Sequence, residues 1–453
     1  MTDAPYKEGS TAAPTRHALD WRNPSFYDLA ATEAEMERIF DICHGCRRCF
    51  NLCDAVPRLF EMIDASESGE LDGVPKSRYV EVEEACTLCD MCYMTKCPYV
   101  PPHPFNLDFP HVMLRYRAAR AAAGHTNFTA RQLGEMDRNG RLASLAAPLA
   151  NWASAQDNKL TRPILEEMGV DRDSDLPKFA GRTFISRAKT EAPKADPAGA
   201  ASARKVVLFP TCFVNYNNPQ VGIAALAVLA KNGVSPKVLY PGCCGMPFLE
   251  QAELDRVAKQ AEKISRDFRP LIDDGYTVLT LTASCGLMLK SEWPLLLPDN
   301  KDVKALAKAV MDIDQFIVDI ARNEGLAPGL KPVEGGVTVH LACHARAQNV
   351  GPKAAEMLKL IPDTNVEVVE RCAGHGGTFG VLKPTHEVAM KVGKNAMRSA
   401  LRSGNKHLVS DCPLAARHLV HGMQKLAEAG QAAPSVAEHP IEILARAYGI
   451  STA

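Results

Sequence analysis

The sequence predicts a multidomain protein. An all-α segment near the N-terminus precedes a duplicated α/β domain of two pseudo-symmetric lobes with mainly parallel sheets. Three observations carry this. Few β-branched alternations occur before residue 200. From Lys205 onward, short β-branched runs alternate with helical stretches. That alternation restarts after about 130 residues, too long a period for a solenoid.

In chain order, residues 1–35 read as a polar arm, loosely ordered until it meets a partner or the first domain. Residues 36–135 form the all-α segment, with helices expected over Thr32–Ile42, Phe50–Ile63 and Val112–Ala123. Residues 136–204 are a helical connector and linker. Within them, Leu142–Ala155 is weakly amphipathic and is expected to pack as a helix on the preceding segment. A membrane-surface helix is the alternative, although the stretch lacks the lysines and arginines such helices carry. Ala192–Arg204, rich in Ala and Pro, reads as the linker proper. Lobe one spans 205–335, with strands at Val206–Phe209, Pro236–Tyr240 and Thr277–Thr282 and helices at Gly222–Lys231 and Glu250–Asp273. Lobe two spans 336–450, with strands at Val337–Ala342, Val366–Glu370 and His407–Ser410 and helices at Lys353–Leu360 and His386–Ser403.

Eight of the fifteen cysteines lie in two runs. The first is Cys43, Cys46, Cys49, Cys53; the second is Cys86, Cys89, Cys92, Cys97, followed by Pro98. Three thiolates at C-x2-C-x2-C spacing can cap three irons of one cluster, and the fourth cysteine of each run usually ligates the other cluster. The spacing therefore assigns one [4Fe-4S] cluster to Cys43, Cys46, Cys49 and Cys97. It assigns a second to Cys86, Cys89, Cys92 and Cys53, making 36–135 a two-cluster, ferredoxin-like domain. Two zinc knuckles or a disulfide lattice are the alternatives, but four evenly spaced thiols per run exceed what a zinc ribbon needs. Two features depart from the commonest pattern. Asp54 rather than proline follows Cys53, and the last gap of the second run, Tyr93 to Lys96, is one residue longer than usual.

In each lobe a cysteine ends every expected strand: Cys212, Cys243-Cys244 and Cys285 in lobe one; Cys343, Cys372 and Cys412 in lobe two. Ligand-binding groups gather at the carboxyl ends of parallel strands. A lone cysteine there reads as core packing; six matched strand ends read as metal or cluster ligands. Cys212, Cys243, Cys244 and Cys285 suffice for one four-iron cluster or for zinc. Lobe two has three thiols with His344 and His375 beside them, a set that suits zinc better than a cluster. The plainer alternative makes His344 a hydrogen-bonded support and His375 a loop residue. Gly374, Gly376, Gly377 and Gly380 do not spell a dinucleotide fingerprint and read as room for backbone to crowd a metal or substrate. Arg346 and Gln348 either cap the next helix or bind an anion, and His418 and His421 read as surface or packing residues. No GxSxG, HExxH, P-loop or flavin fingerprint is present.

These motifs resemble a known family. Pro-Thr-Cys212, Pro-Gly-Cys243-Cys244-Gly-Met-Pro, Ala-Ser-Cys285-Gly, Ala-Cys343-His344, Arg-Cys372-Ala-Gly-His375 and Ser-Asp-Cys412-Pro are similar to the duplicated cysteine-rich CCG domain of heterodisulfide reductases. With the N-terminal runs, residues 40–450 resemble the iron-sulfur oxidoreductases exemplified by the cluster-bearing chain of anaerobic glycerol-3-phosphate dehydrogenase. The family pattern supplies a fifth cysteine and can hold noncubane clusters. Here Met288 stands at that place in lobe one, and reads as core packing, while Ala373 and Ala415 replace two cysteines of lobe two.

The resemblance implies an electron-transfer oxidoreductase. Two N-terminal clusters relay electrons between a redox partner and either a quinone or a substrate at lobe one, where a third Fe-S cluster is held. The partner is a flavoprotein dehydrogenase or a non-haem iron protein. The rival readings are a disulfide or dithiol reductase-type catalytic subunit, and lobe two as a structural zinc docking module. Whether the chain is the enzyme or an electron-transfer subunit of one stays open. Composition bounds the rest. Lys and Arg total 52 against 53 Asp and Glu, which gives no electrostatic case for nucleic acid. No signal peptide and no run of about eighteen apolar residues is visible. The expected setting is the cytoplasm, with any membrane contact peripheral or through the partner.

Overall fold

The computed structural model describes residues 14–428 and 431–451. One compact unit takes in the chain up to Asn127 together with Phe248–Leu254; the second takes Phe128–Pro247 and the chain from Asp255 onward.

In the first unit the main elements are helices. Asp28 caps the helix Leu29–Cys46 by accepting the Ala31 N–H, so it starts earlier than expected and carries Cys43 and Cys46 on its last turn. Turns through Leu52 delay the next helix, Ala55–Asp64, beyond its expected start. Asp108 caps Phe109–Ala122 through the His111 N–H, with Pro110 in the first turn. Met36, Phe40, Leu59 and Met113 fill the interior, and Phe40 meets Tyr79 edge-on at 5.0 Å. The first 13 residues of the expected polar arm lie outside the described residues. From there the arm is held down. Arg16 binds Asp90 and Asp108 at 2.7 and 2.8 Å and lies over the Tyr93 ring, while Trp21 and Phe26 are buried.

The second unit holds two parallel sheets. The first consists of β1 (Val206–Phe209), β2 (Lys237–Val238), β3 (Thr277–Thr280) and β4 (Val310–Asp312), in the order β2-β1-β3-β4. The second consists of β5 (Val337–His340), β6 (Val366–Val369), β7 (His407–Val409) and β8 (Ala437–Glu438), in the order β6-β5-β7-β8. The identical order and all-parallel pairing make the two lobes structural repeats. β4 and β8 were not expected, since edge strands of three and two residues are too short to show periodicity.

Both lobes contribute to one apolar core, which joins Val206 and Leu208 of β1, Val337 and Val339 of β5, and Leu444 of the helix Pro440–Ala447. Residues 192–204 pack on lobe one, with Ala201 buried in that core. Leu142–Ala155 forms two helices, Met136–Leu145 and Ala147–Ser154, that do not bury their large apolar residues. Leu142, Leu145 (86% exposed), Leu149 and Trp152 (52%) face outward, contrary to the packed helix expected.

Candidate functional site

In the first unit, tight turns fold the cysteine runs inward. Arg47 ends the first helix in the left-handed region, its N–H donating to the Cys43 carbonyl. Leu88 and Asp90, on either side of Cys89, also have positive φ, so the backbone coils around this residue. Cys92 opens a π-helical turn, Cys92–Lys96, which the Cys97 N–H closes onto the Cys92 carbonyl. This wider turn accommodates the longer final gap of the second run. None of the eight cysteines is in a disulfide.

Two groups of thiols result. Burial pushes the Cys43 thiol up, and the neighbouring Cys97, Cys49 and Cys46 push it further. Burial likewise raises Cys86, with Cys53 and Cys89 adding to it, and raises Cys89 to about 12, with Cys53 adding. Burial also raises Cys92, which feels Cys89, Cys86 and Cys53, and more weakly Cys49. Cys97 thus stands among the first run, Cys53 among the second, and the groups adjoin. Cys43, Cys46, Cys49 and Cys97, with Cys92 beside them, line a cavity walled by Val56 and Phe60. Buried thiols that resist ionisation only while no cation offsets them suit a cationic iron-sulfur core, which binds the thiolates. Among the described residues, no three His, Cys, Asp or Glu side chains are already closed around the position of a single ion.

In lobe one, Cys212 follows β1 in the short helix Thr211–Tyr216, Cys243 and Cys244 follow β2, and Cys285 follows β3 in Ala283–Leu287. Thr211 has φ 76°, a strained value for a β-branched residue, and its hydroxyl meets that of Thr282 at 3.1 Å, tying the ends of β1 and β3 together. The four buried thiols form a chain. Cys212 and Cys243 sulfurs are 3.7 Å apart, and Cys244 bridges Cys243 and Cys285. Hydrogen bonds from Cys212 and Cys244 hold Cys243 well below the usual thiol range. The same bonds, then burial, push Cys212 and Cys244 up. Asp137 accepts the Cys243 N–H at 2.9 Å and the Tyr240 hydroxyl at 2.5 Å, and Trp293 donates its indole N–H to the Cys244 carbonyl at 3.1 Å. Sequence reasoning missed Asp137 because it lies 106 residues from Cys243 with no motif to mark it. Met288 is fully buried in the core.

In lobe two, Cys343 opens the helix Cys343–Ala347 after β5, Cys372 follows β6, and Cys412 immediately precedes the helix Pro413–Leu426 after β7. The Gly374 N–H donates to the Cys372 sulfur at 3.3 Å. Ala373 and Ala415, where the family pattern has cysteine, belong to an apolar cluster with Leu419 and Met397. Two of the glycines are required by close packing, Gly374 against Ala389 and Gly380 against the His375 ring. A Cβ on Gly374 would lie 2.0 Å from the Ala389 carbonyl, so the loop presses on the helix His386–Ser403.

The helices Ala283–Leu287 and Cys343–Ala347 pack together, so the thiol-bearing ends of the two sheets face each other. His344 binds the Ser284 hydroxyl at 2.8 Å. Gln348 donates to Asp312 at 2.6 Å and accepts from Lys290 at 2.7 Å, bridging the lobes rather than capping the next helix. Arg346 pairs with Glu370 at 2.6 Å. His375 sits beside His418, which is buried, as the packing alternative expects.

Comparison with known proteins fits this arrangement. Residues 206–290 and 337–419 each match the family described as the cysteine-rich domain, CCG. The chain is 28% identical over 284 residues to a subunit of the anaerobic glycerol-3-phosphate dehydrogenase of Escherichia coli K12, covering 62% of this chain and 69% of that protein. It is 30% identical over 260 residues to a subunit of the dihydromethanophenazine:CoB–CoM heterodisulfide reductase of Methanosarcina barkeri, covering 54% and 60%. An uncharacterized iron-sulfur protein of Methanococcus maripaludis is 30% identical over 228 residues, covering 49% and 42%. The chain therefore carries two copies of the cysteine-rich domain, and its relatives support an iron-sulfur electron-transfer role.

Proposed function

We propose that this chain, with its two cysteine-rich domains, is a subunit that relays electrons through clusters held by its own thiolates. Cys43, Cys46, Cys49 and Cys97 hold one [4Fe-4S] cluster, and Cys53, Cys86, Cys89 and Cys92 hold a second. Cys212, Cys243, Cys244 and Cys285 hold a third Fe-S cluster. Cys343, Cys372 and Cys412, with His344 nearby, are the thiol set of a docking lobe that takes zinc or a further cluster. The observation that carries the relay is the exchange of the fourth thiol between the runs, with Cys49 close enough to Cys92 to be felt there.

The clusters supply one-electron chemistry; the chain supplies spacing, burial and hydrogen bonds. Backbone bonds from Leu88 to Cys86 and from Met91 to Cys89 favour the thiolates and tune the second centre. Arg117 donates to the Cys86 carbonyl at 2.9 Å and to the Glu83 carboxylate, which fixes the loop that bears this thiol.

The relatives are named as subunits of multi-subunit dehydrogenases and reductases, which supports a partner protein. We take it to be a flavoprotein dehydrogenase or a non-haem iron protein in the cytoplasm, with a quinone or a substrate at lobe one at the far end. Among the described residues no helix is long and apolar enough to cross a membrane. The exposed Leu142, Leu145, Leu149 and Trp152 support a peripheral contact instead. Wild-type chain should co-sediment with phospholipid vesicles and Leu145→Asp with Leu149→Asp should not. Wild type left in the supernatant would assign this face to the partner.

The deciding experiment is iron and acid-labile sulfide content of anaerobically purified chain, with EPR before and after reduction. Three four-iron clusters give about twelve irons per chain. About eight irons would leave lobe one without a cluster and remove it from the relay. A second reading, a dithiol reductase site at lobe one, is favoured by the 3.7 Å separation of Cys212 and Cys243. It requires those two thiols to be alkylated in the purified protein, which cluster ligation forbids.

A further inference from the structure

We propose that His375, His386, His418 and His421 form a separate site for a single divalent transition-metal ion in lobe two, distinct from the cysteines of that lobe. Three segments bring the rings together. The loop after β6 carries His375, the helix His386–Ser403 begins with His386, and the helix Pro413–Leu426 places His418 and His421 three residues apart on one face. Ring centres are 5.6 Å apart for His375 and His418, 6.3 Å for His386 and His418, and 6.5 Å for His386 and His421.

The hydrogen bonding of these rings has gaps that a metal ion would fill. His375 is 8% exposed and neither of its ring nitrogens has a partner. Nε2 of His418 and Nε2 of His421 are likewise buried and unpartnered. A buried polar atom without a partner forfeits its hydration and gains nothing in return, so several in one place call for a ligand. In His418 and His386 the second nitrogen is already engaged in the manner of metal ligands, which commonly give their second N–H to a carbonyl or carboxylate. His418 bonds the Ala389 carbonyl. His386 bonds the Gly380 carbonyl at 2.8 Å through Nδ1, and its Nε2 lies 3.7 Å from Asp171.

The surrounding charge agrees with a cation. Asp171, Asp173 and Asp175 lie around the histidines, against two cations, Arg417 and Lys425. Imidazole suits zinc, copper, nickel and iron. Two imidazoles on one tetrahedral ion, bonded at about 2.0–2.1 Å, place their ring centres roughly 5 Å apart. The His375–His418 pair is close to that spacing, while the other two rings must rotate inward to close the shell. Once closed, the ion would pin the glycine-rich loop to both helices and to Asp171 of the connector.

The test uses the full-length chain, given one equivalent of Zn²⁺ and gel-filtered, with zinc counted by mass spectrometry and its shell read by X-ray absorption. The expected result is one retained zinc with nitrogen and oxygen neighbours at about 2.0–2.1 Å. It should persist in Cys372→Ser and bind at least tenfold more weakly in His418→Gln and in His421→Gln. His421 is only half buried, so its variant decides the matter where His418→Gln fails to fold. A sulfur shell at about 2.3 Å, loss of zinc in Cys372→Ser, or no zinc retained by the wild type would each overturn the proposal. Iron content reports independently on the relay, so neither conclusion depends on the other.

Discussion

At the scale of single residues, the thiols of lobe one are interdependent. Cys244 shares hydrogen bonds with both Cys243 and Cys285, so it is the hinge of the four-sulfur chain. Its backbone is also held, since Trp293 is fully buried and donates to its carbonyl. Cys244→Ser changes one ligand atom while leaving this scaffold in place. The expected outcome is a loss of about four irons per chain with the first unit's EPR signals unchanged. Unchanged iron content would show that lobe one holds no cluster. The spacing of the cysteines made this site legible in the sequence, because thiolate ligation constrains residue type and position together. Asp137 and Gln348 were not legible. Their roles arise from partners brought close only by the fold, and an isolated Asp or Gln carries no signature.

At the scale of elements, the interior strands were legible because β-branched runs ending in cysteine are conspicuous. β4 and β8 were not, since pairing rather than pattern makes them strands. The partners of the glycine-rich loop were hidden in the same way. Its composition advertises close approach, but only packing shows that Gly374 approaches the helix His386–Ser403 and Gly380 the His375 ring. His340 ties the strands of lobe two at their ends. One ring nitrogen meets the Ser410 hydroxyl at 3.0 Å and the other donates to the Arg371 carbonyl at 3.0 Å. Burial holds it down to about 4. Its folded value is below the unfolded value of about 6.5, so the unfolded chain takes up the proton first as pH falls. This histidine's contribution is therefore fully present above pH ~6.5 and is lost as pH falls toward ~4, by up to about 3 kcal/mol. Thermal unfolding of His340→Gln should show a smaller drop in Tm between pH 7 and pH 5 than wild type. An equal drop would mean that His340 titrates normally in the folded chain.

At the scale of the whole second unit, repetition and shared burial pull in different directions. Identical sheet order suggests lobes that could fold separately, as repeats with private cores do. The core argues otherwise. Leu444, on the helix Pro440–Ala447 after β8, belongs to the same apolar cluster as Leu208 and Leu229 of lobe one, and its helix packs along Pro219–Lys231. The polar bridge of Lys290, Gln348 and Asp312 closes the opposite side, where the thiols of the two lobes face each other. A cavity in such a shared core should weaken both lobes together. Leu444→Ala removes a fully buried side chain and should cost about 2–5 kcal/mol. Amide hydrogen exchange then separates the cases. If the core is shared, exchange in β1 and β3 should speed up as much as in β5 and β7, because one opening event exposes all four. Acceleration confined to β5 and β7 would mean that the lobes open independently. In that case the ligands of lobe one would keep their geometry while lobe two unfolds.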